Sequence, residues 1–80
     1  MKERELVASA LKVGKDVLMA LHSALRALEV EEAGEVSLEE GVHQALHGLY
    51  EAQEGMQVVL GLLRELEERF TVERLGRNPN

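Results

Sequence analysis

The fold is decided by residues 32–40, which read EAGEVSLEE. Gly34 is predicted to sit just past the end of a helix, because glycine adopts the left-handed backbone conformation at little cost. Ser37 and Glu40 have the spacing of a capping box, in which the serine side chain caps the first turn of a new helix. Residues 32–37 therefore predict a short loop between two helices, and a loop this short makes them antiparallel neighbours.

The residues before the loop predict a first helix over about residues 3–31. Apolar side chains recur there at spacings of three and four, which is typical of one face of a helix. Leu11, Leu18 and Leu25 add a third apolar column to the two that a simple helix pair needs. A single partner helix cannot cover so wide a face, so we expect this helix to contact two or three others.

The residues after the loop predict a second helix over about residues 38–75, followed by a tail at 76–80. Arg69 lies near the end of this helix, where a positive charge suits the helix dipole. The second helix is longer than the first by roughly two turns. Phe70 and Leu75 are therefore expected to extend past the start of the first helix.

The size of the chain indicates that the hairpin needs a partner. Its 80 residues form one domain, 1–80, and a core of this size seldom supplies much stability without a staple or a second chain. The chain has no cysteine, so neither a disulfide nor a zinc–thiolate site is available. The predicted fold class is all-α: an antiparallel two-helix hairpin that self-associates, as a homodimer, into a four-helix bundle or a larger helical oligomer.

The charge of the chain is acidic and uneven. The formal net charge is −6, and residues 31–57 carry seven glutamates but no lysine or arginine. Nucleic acids and anionic membranes both attract basic surfaces, so neither is an expected partner. The expected partners are a second copy of the chain and a basic protein that would bind the acidic loop end.

The distribution of charged residues also bears on location. The longest uncharged runs, such as residues 41–50, contain about ten residues, whereas a membrane-spanning helix needs roughly 20. No uninterrupted apolar stretch follows the first residues, so no signal peptide is predicted and the expected compartment is the cytoplasm. Scarce asparagine and glutamine favour a thermophilic source.

The most informative pattern in the second helix is a ridge of small residues. This small-residue ridge consists of Gly41, Ala45, Gly48, Ala52 and Gly55. A glycine inside a helix costs about 1 kcal/mol relative to alanine, and close approach of another helix would compensate for it. Chance and a deliberately loosened helix are the alternatives. The predicted oligomer interface combines the ridge with four larger residues: Leu11, Leu18, Leu25 and Phe70.

The histidines and nearby glutamates form a candidate metal site. His43 and His47 are four residues apart, and Glu40 precedes His43 by three, a spacing that resembles the Glu-x-x-His motif of ferritin-like di-iron bundles. If the hairpin folds back symmetrically about its loop, His22 lies across from His47 and Glu29 lies across from Glu40. The resemblance implies a small bundle that binds a divalent metal through Glu40, His43, His47 and His22.

The alternative interpretation of the same residues is a solvated polar surface. Glu40, His43 and His47 fall away from the apolar positions of the second helix, whereas di-iron ligands must project into the bundle core. No catalytic group is evident, since His22 and Ser23 are adjacent and point about 100° apart. The function predicted first is a non-enzymatic helical interaction or structural protein without a cofactor, acting as a homo-oligomer. The alternative is a metal-binding helical bundle.

Overall fold

The computed structural model describes residues 2–77 and contains two α-helices, α1 (Lys2–Glu32) and α2 (Leu38–Arg77). The helices pack against each other as a hairpin, and the described residues include no strand. The predicted all-α class and the helical hairpin are therefore confirmed. Gly76 and Arg77, which were predicted to belong to the tail, are helical, and residues 78–80 of that tail lie outside the described residues. Differences of one or two residues at helix ends are usual, because the last turns of a helix fray.

The loop ends α1 with the backbone geometry that its sequence predicts. Gly34 has a φ of 78°, in the left-handed region that glycine tolerates. The N–H of Gly34 donates to the carbonyl of Glu31 at 2.9 Å, and the N–H of Glu35 donates to the carbonyl of Val30 at 3.0 Å. This pair of bonds is the Schellman motif, which satisfies carbonyls that the end of a helix would otherwise leave free.

The start of α2 is capped by Ser37. The N–H of Glu40 donates to Ser37 Oγ at 3.1 Å, and the N–H of Gly41 donates to the Ser37 carbonyl at 2.9 Å. The Glu40 carboxylate accepts a hydrogen bond from the Gln44 side chain at 3.2 Å, one turn further along the helix. The cap fixes where α2 begins.

The contact surface between the helices, which we call the seam, is made mostly of small residues. Its buried or half-buried members are Leu6, Ala10, Val13, Val17, Ala20, Ala24 and Ala27 of α1, and Gly41, Ala45, Gly48, Ala52, Gly55, Val59, Leu62 and Leu66 of α2. A Cβ atom added to Gly48 would lie 2.9 Å from the Ala20 carbonyl oxygen and 3.1 Å from the Ala24 Cβ. The backbones of the two helices therefore approach each other too closely at this level for a side chain to fit.

The hairpin is long, narrow and one helix thick. Its Cα atoms span 65 × 21 × 14 Å, and a single helix with its side chains is about 10–12 Å wide. Arg69 of α2 lies 3.6 Å from the Glu3 carboxylate, which places Phe70 beside the first turn of α1 and the exposed Leu75 beyond it. Domains usually bury their apolar surfaces between two packed layers, and this hairpin supplies only one.

Candidate interaction face

In both helices, a second set of mostly apolar residues stands one position after the seam residues in the sequence. In α1 these positions are Val7, Leu11, Gly14, Leu18, Leu21, Leu25 and Leu28. In α2 they are Val42, Leu46, Leu49, Gln53, Met56, Leu60 and Leu63, of which Gln53 is the one polar member, and Phe70 continues the column beyond Glu67. Steps of three and four residues keep each column on one side of its helix over its whole length.

Both columns lie on the same side of the hairpin. One residue along an α-helix corresponds to a rotation of about 100°, always in the right-handed sense. Because the helices run antiparallel and their seams face each other, this rotation turns the next position of α1 and the next position of α2 toward the same side. The two columns therefore form one continuous surface, which we call the apolar face.

Most of the large side chains of the apolar face are open to solvent. Leu18 is 67 % exposed, and Leu11 and Leu25 are each 59 % exposed. The large apolar residues of the α2 column are all between 43 % and 51 % exposed. Single exposed apolar residues are ordinary on protein surfaces, but a contiguous row of this length along two helices is not.

The opposite side of the hairpin is polar. Residues one position before the seam include Lys12, Asp16 and Arg26 in α1, and Glu51 and Glu54 in α2, all of them exposed. Met19 and Val58 are exposed apolar exceptions on this side. The hairpin as a whole is therefore amphipathic, with one polar, solvent-exposed side and one apolar side.

The exposed surface is too large for a compact monomer. The chain exposes 6559 Å², whereas a globular monomer of 8.9 kDa exposes about 4,800 Å². Its radius of gyration is 18.8 Å, against about 12 Å for a compact domain of this length. The excess is roughly 1,700 Å² of surface per chain. The large exposed side chains of the apolar face account for part of it.

The predicted interface residues fall into two groups. The five residues of the small-residue ridge lie in the seam, where α1 of the same chain covers them. This position differs from the predicted oligomer interface, because the closely approaching helix belongs to the same chain. Leu11, Leu18, Leu25 and Phe70 lie on the apolar face and are exposed.

The predicted interface omitted the large residues of α2 that complete the apolar face. Val42, Leu46, Leu49 and Met56 each stand one residue after a member of the small-residue ridge. The same one-residue offset relates Leu11 and Leu18 in α1 to the seam residues that precede them. Applied to both helices, this offset would have identified the whole face from the sequence.

The predicted metal ligands are not brought together. His43, His47 and Glu40 are exposed on α2, and His22 lies about half a turn away from the seam on α1. His47 Nδ1 lies 3.2 Å from the carboxylate of Glu51, its neighbour one turn along the same helix. Among residues 2–77, no group of three or more histidine, aspartate or glutamate side chains is placed to hold a metal ion. The spacing of these residues along α2 is evident from the sequence, whereas the rotation of α1 about its own axis is not.

No helix within residues 2–77 combines the length and the apolar character needed to cross a membrane. No buried polar or charged side chain occurs among the described residues, so they include no buried titratable group. Comparison with known proteins adds no further assignment, since no protein family, curated protein or solved structure matches the chain. The apolar face is therefore the feature of the described residues that bears most directly on function.

Proposed function

We propose that this protein is a non-enzymatic helical interaction protein that acts as a homo-oligomer, in which two hairpins pack their apolar faces together as a four-helix bundle. The observation that carries the proposal is the one-sided apolar face, which runs the length of α1 and is exposed in the single chain. A second hairpin supplies the missing layer, and bundles of antiparallel helices have this architecture.

The exposed area supports a second copy as the occupant of the apolar face. Stable protein–protein interfaces bury about 800 Å² on each partner, and obligate homodimers bury more. The excess surface of about 1,700 Å² per chain over a compact monomer is large enough to supply an interface of this size. A copy of the chain also brings an apolar face of the same length and the same helical spacing, so the two surfaces match in extent.

The side left free by such a bundle is polar and, near the loop, acidic. Residues 31–57 carry seven glutamates without a compensating lysine or arginine, and of these only Glu31 is half-buried rather than exposed. We propose a basic protein as the external partner of this surface. Such an attraction would weaken as salt is added, because the charges involved are exposed.

The test compares two neighbouring residues that are equally exposed but lie on opposite sides. Leu18, on the apolar face, is 67 % exposed, and Met19, on the polar side, is 68 % exposed. We expect the native protein to have twice the monomer mass of 8.9 kDa in native mass spectrometry and light scattering. Leu18→Glu should abolish the dimer, with or without loss of helix, because it places a charge in the interface. Met19→Glu should leave the dimer intact. A monomeric native protein, or a dimer that tolerates Leu18→Glu, would overturn the proposal.

A further inference from the structure

The apolar face has a common midpoint in both helices. In α2 the stretch of the column from Val42 to Leu63 is bounded by Glu39 and Glu67, each 14 residues from Gln53, and Phe70 lies beyond Glu67. In α1 it runs from Val7 to Leu28 and is bounded by Arg4 and Glu32, each 14 residues from Leu18. Gln53 and Leu18 are thus the central residues of their columns.

The two midpoints lie at the same height in the hairpin. Gly48 packs between Ala20 and Ala24, which places it level with residue 22 of α1. Counting back along the antiparallel pair, Gln53 is level with residue 17 and is therefore next to Leu18. A two-fold axis that lies in the plane of the interface, runs perpendicular to the helices and crosses both columns at Gln53 and Leu18 would superpose each column on its own copy.

Two arrangements of a face-to-face dimer are compatible with two-fold symmetry. If the axis is parallel to the helices, the loops lie at the same end and α1 faces α2 of the partner. If the axis is perpendicular to the helices, the loops lie at opposite ends, and each helix faces its own counterpart in antiparallel orientation. Both give antiparallel neighbours, so helix packing alone does not choose between them.

Gln53 distinguishes the two arrangements, because it is the one polar residue between Val42 and Leu63 in the α2 column. With the loops at the same end, Gln53 would face Leu18 of the partner subunit, and its amide would be buried without a partner. With the loops at opposite ends, two Gln53 side chains meet at the axis. An amide carries both donors and an acceptor, so the two side chains can hydrogen-bond to each other.

The charge distribution favours the same arrangement. Residues 26–44, around the loop, carry six glutamates and one arginine. Loops at the same end would bring the two acidic regions within about one Debye length of each other, where repulsion is only partly screened. Loops at opposite ends place each acidic region beside residues 2–11 and 62–68 of the partner. Residues 2–11 carry no net charge, and residues 62–68 carry three glutamates and one arginine, so the repulsion is weaker than between two acidic loop regions.

We infer that the two copies pair about a two-fold axis perpendicular to the helices, with the loops at opposite ends and Gln53 at the axis as the residue that sets the orientation. The inference rests on the proposed self-association through the apolar face. A single buried amide is known to specify orientation in helical assemblies at some cost in stability. The Gln53 amide would specify the orientation of the two hairpins in this dimer.

The experiment uses a spin label on Glu35→Cys, because the chain has no native cysteine and Glu35 is exposed in the loop. Loops at opposite ends are separated by about 35 residues of helix, or roughly 50 Å. Loops at the same end would lie within about 25 Å. A double electron–electron resonance distance near 50 Å supports the inference. A short distance overturns the arrangement but leaves the dimer.

A second label separates failure of the arrangement from failure of self-association. Gln57→Cys lies near the middle of α2 and on its outer surface, so either dimer gives a short distance there. No dipolar signal from either labelled protein would overturn the proposed function as well as this inference.

The orientation role of Gln53 is tested by Gln53→Leu in the Glu35→Cys background. We expect the dimer to persist but the single long distance to be replaced by a mixture of long and short distances. Gln57→Leu, the same substitution on the outer surface, should leave the single long distance unchanged. A single long distance in both variants would show that Gln53 does not set the orientation.

Discussion

The seam and the apolar face run side by side along the same two helices, yet they are built from opposite kinds of side chain. Six apolar side chains are buried, five of them alanines and one Leu66, whereas 18 large apolar residues are exposed among the described residues. Small residues let the helices approach closely but remove little apolar surface from water. The seam therefore sets the geometry of the hairpin, and the apolar face holds most of the burial still available for stability.

The largest predicted effect comes from filling the seam. Gly48→Leu would place a Cβ 2.9 Å from a backbone oxygen of α1, which cannot move without separating the helices. We expect it to lower the free energy of unfolding by about 3 kcal/mol, measured by urea denaturation at fixed protein concentration.

Gly61→Leu is the matched control for the seam. A Cβ at Gly61 would meet nothing within 4 Å, so the substitution tests helix propensity without the clash. It should raise the free energy of unfolding by up to about 1 kcal/mol. Equal effects of the two variants would mean that the helices are not in close contact at Gly48.

A smaller effect should distinguish the apolar face from the polar side. Val42 is 43 % exposed on the apolar face, and Val58 is 50 % exposed on the polar side. If a second hairpin covers the face, Val42→Ala removes buried methyl groups and should cost about 1.5 kcal/mol in urea denaturation. Val58→Ala should change the free energy of unfolding by less than about 0.5 kcal/mol. Similar small effects at both positions would show that the apolar face stays in water.

The helix cap at the loop should contribute less to the free energy of unfolding than the seam or the apolar face. Ser37→Ala removes the acceptor of the 3.1 Å bond from the Glu40 N–H and should lower the free energy of unfolding by about 1 kcal/mol. Ser23→Ala changes the same side chain at an exposed position inside α1, where alanine is the better helix former, so it should be neutral or slightly stabilising. Thermal unfolding of both variants checks the comparison, and a neutral Ser37→Ala would show that the cap adds nothing.

The features that could be predicted from the sequence are those that depend on neighbours along the chain. Gly34 and Ser37 act through their own backbone and the next few residues, so both helix ends at the loop were predictable. The small-residue ridge was also evident from the sequence as a surface that another helix could approach closely. Its partner was not evident, because a periodic pattern gives the surface of a helix but not which helix covers it.

The placement of His22 was not predictable for a related reason. Placing His22 opposite His47 requires the rotation of α1 about its own axis, and that rotation is set by packing in the seam. Ala20 and Ala24 face α2, so His22, midway between them, is turned about half a turn away. Counting residues from the loop shows which residues of α1 and α2 lie at the same level along the hairpin. It does not show the direction in which each side chain points.

The smallest predicted effect concerns these histidines. We expect His43→Ala to change the melting temperature little, and micromolar Zn²⁺ to shift the native protein and the variant equally. The reason is that His43 and His47 have no third ligand among the described residues. A Zn²⁺-dependent stabilisation that His43→Ala removes would indicate a real site by mass action. For His22 to complete such a site, both helices would have to rotate about their own axes, which would take Ala20 and Ala24 out of the seam. A metal site that includes His22 is therefore incompatible with the close helix contact at Gly48. If that metal site forms, Gly48→Leu should be tolerated.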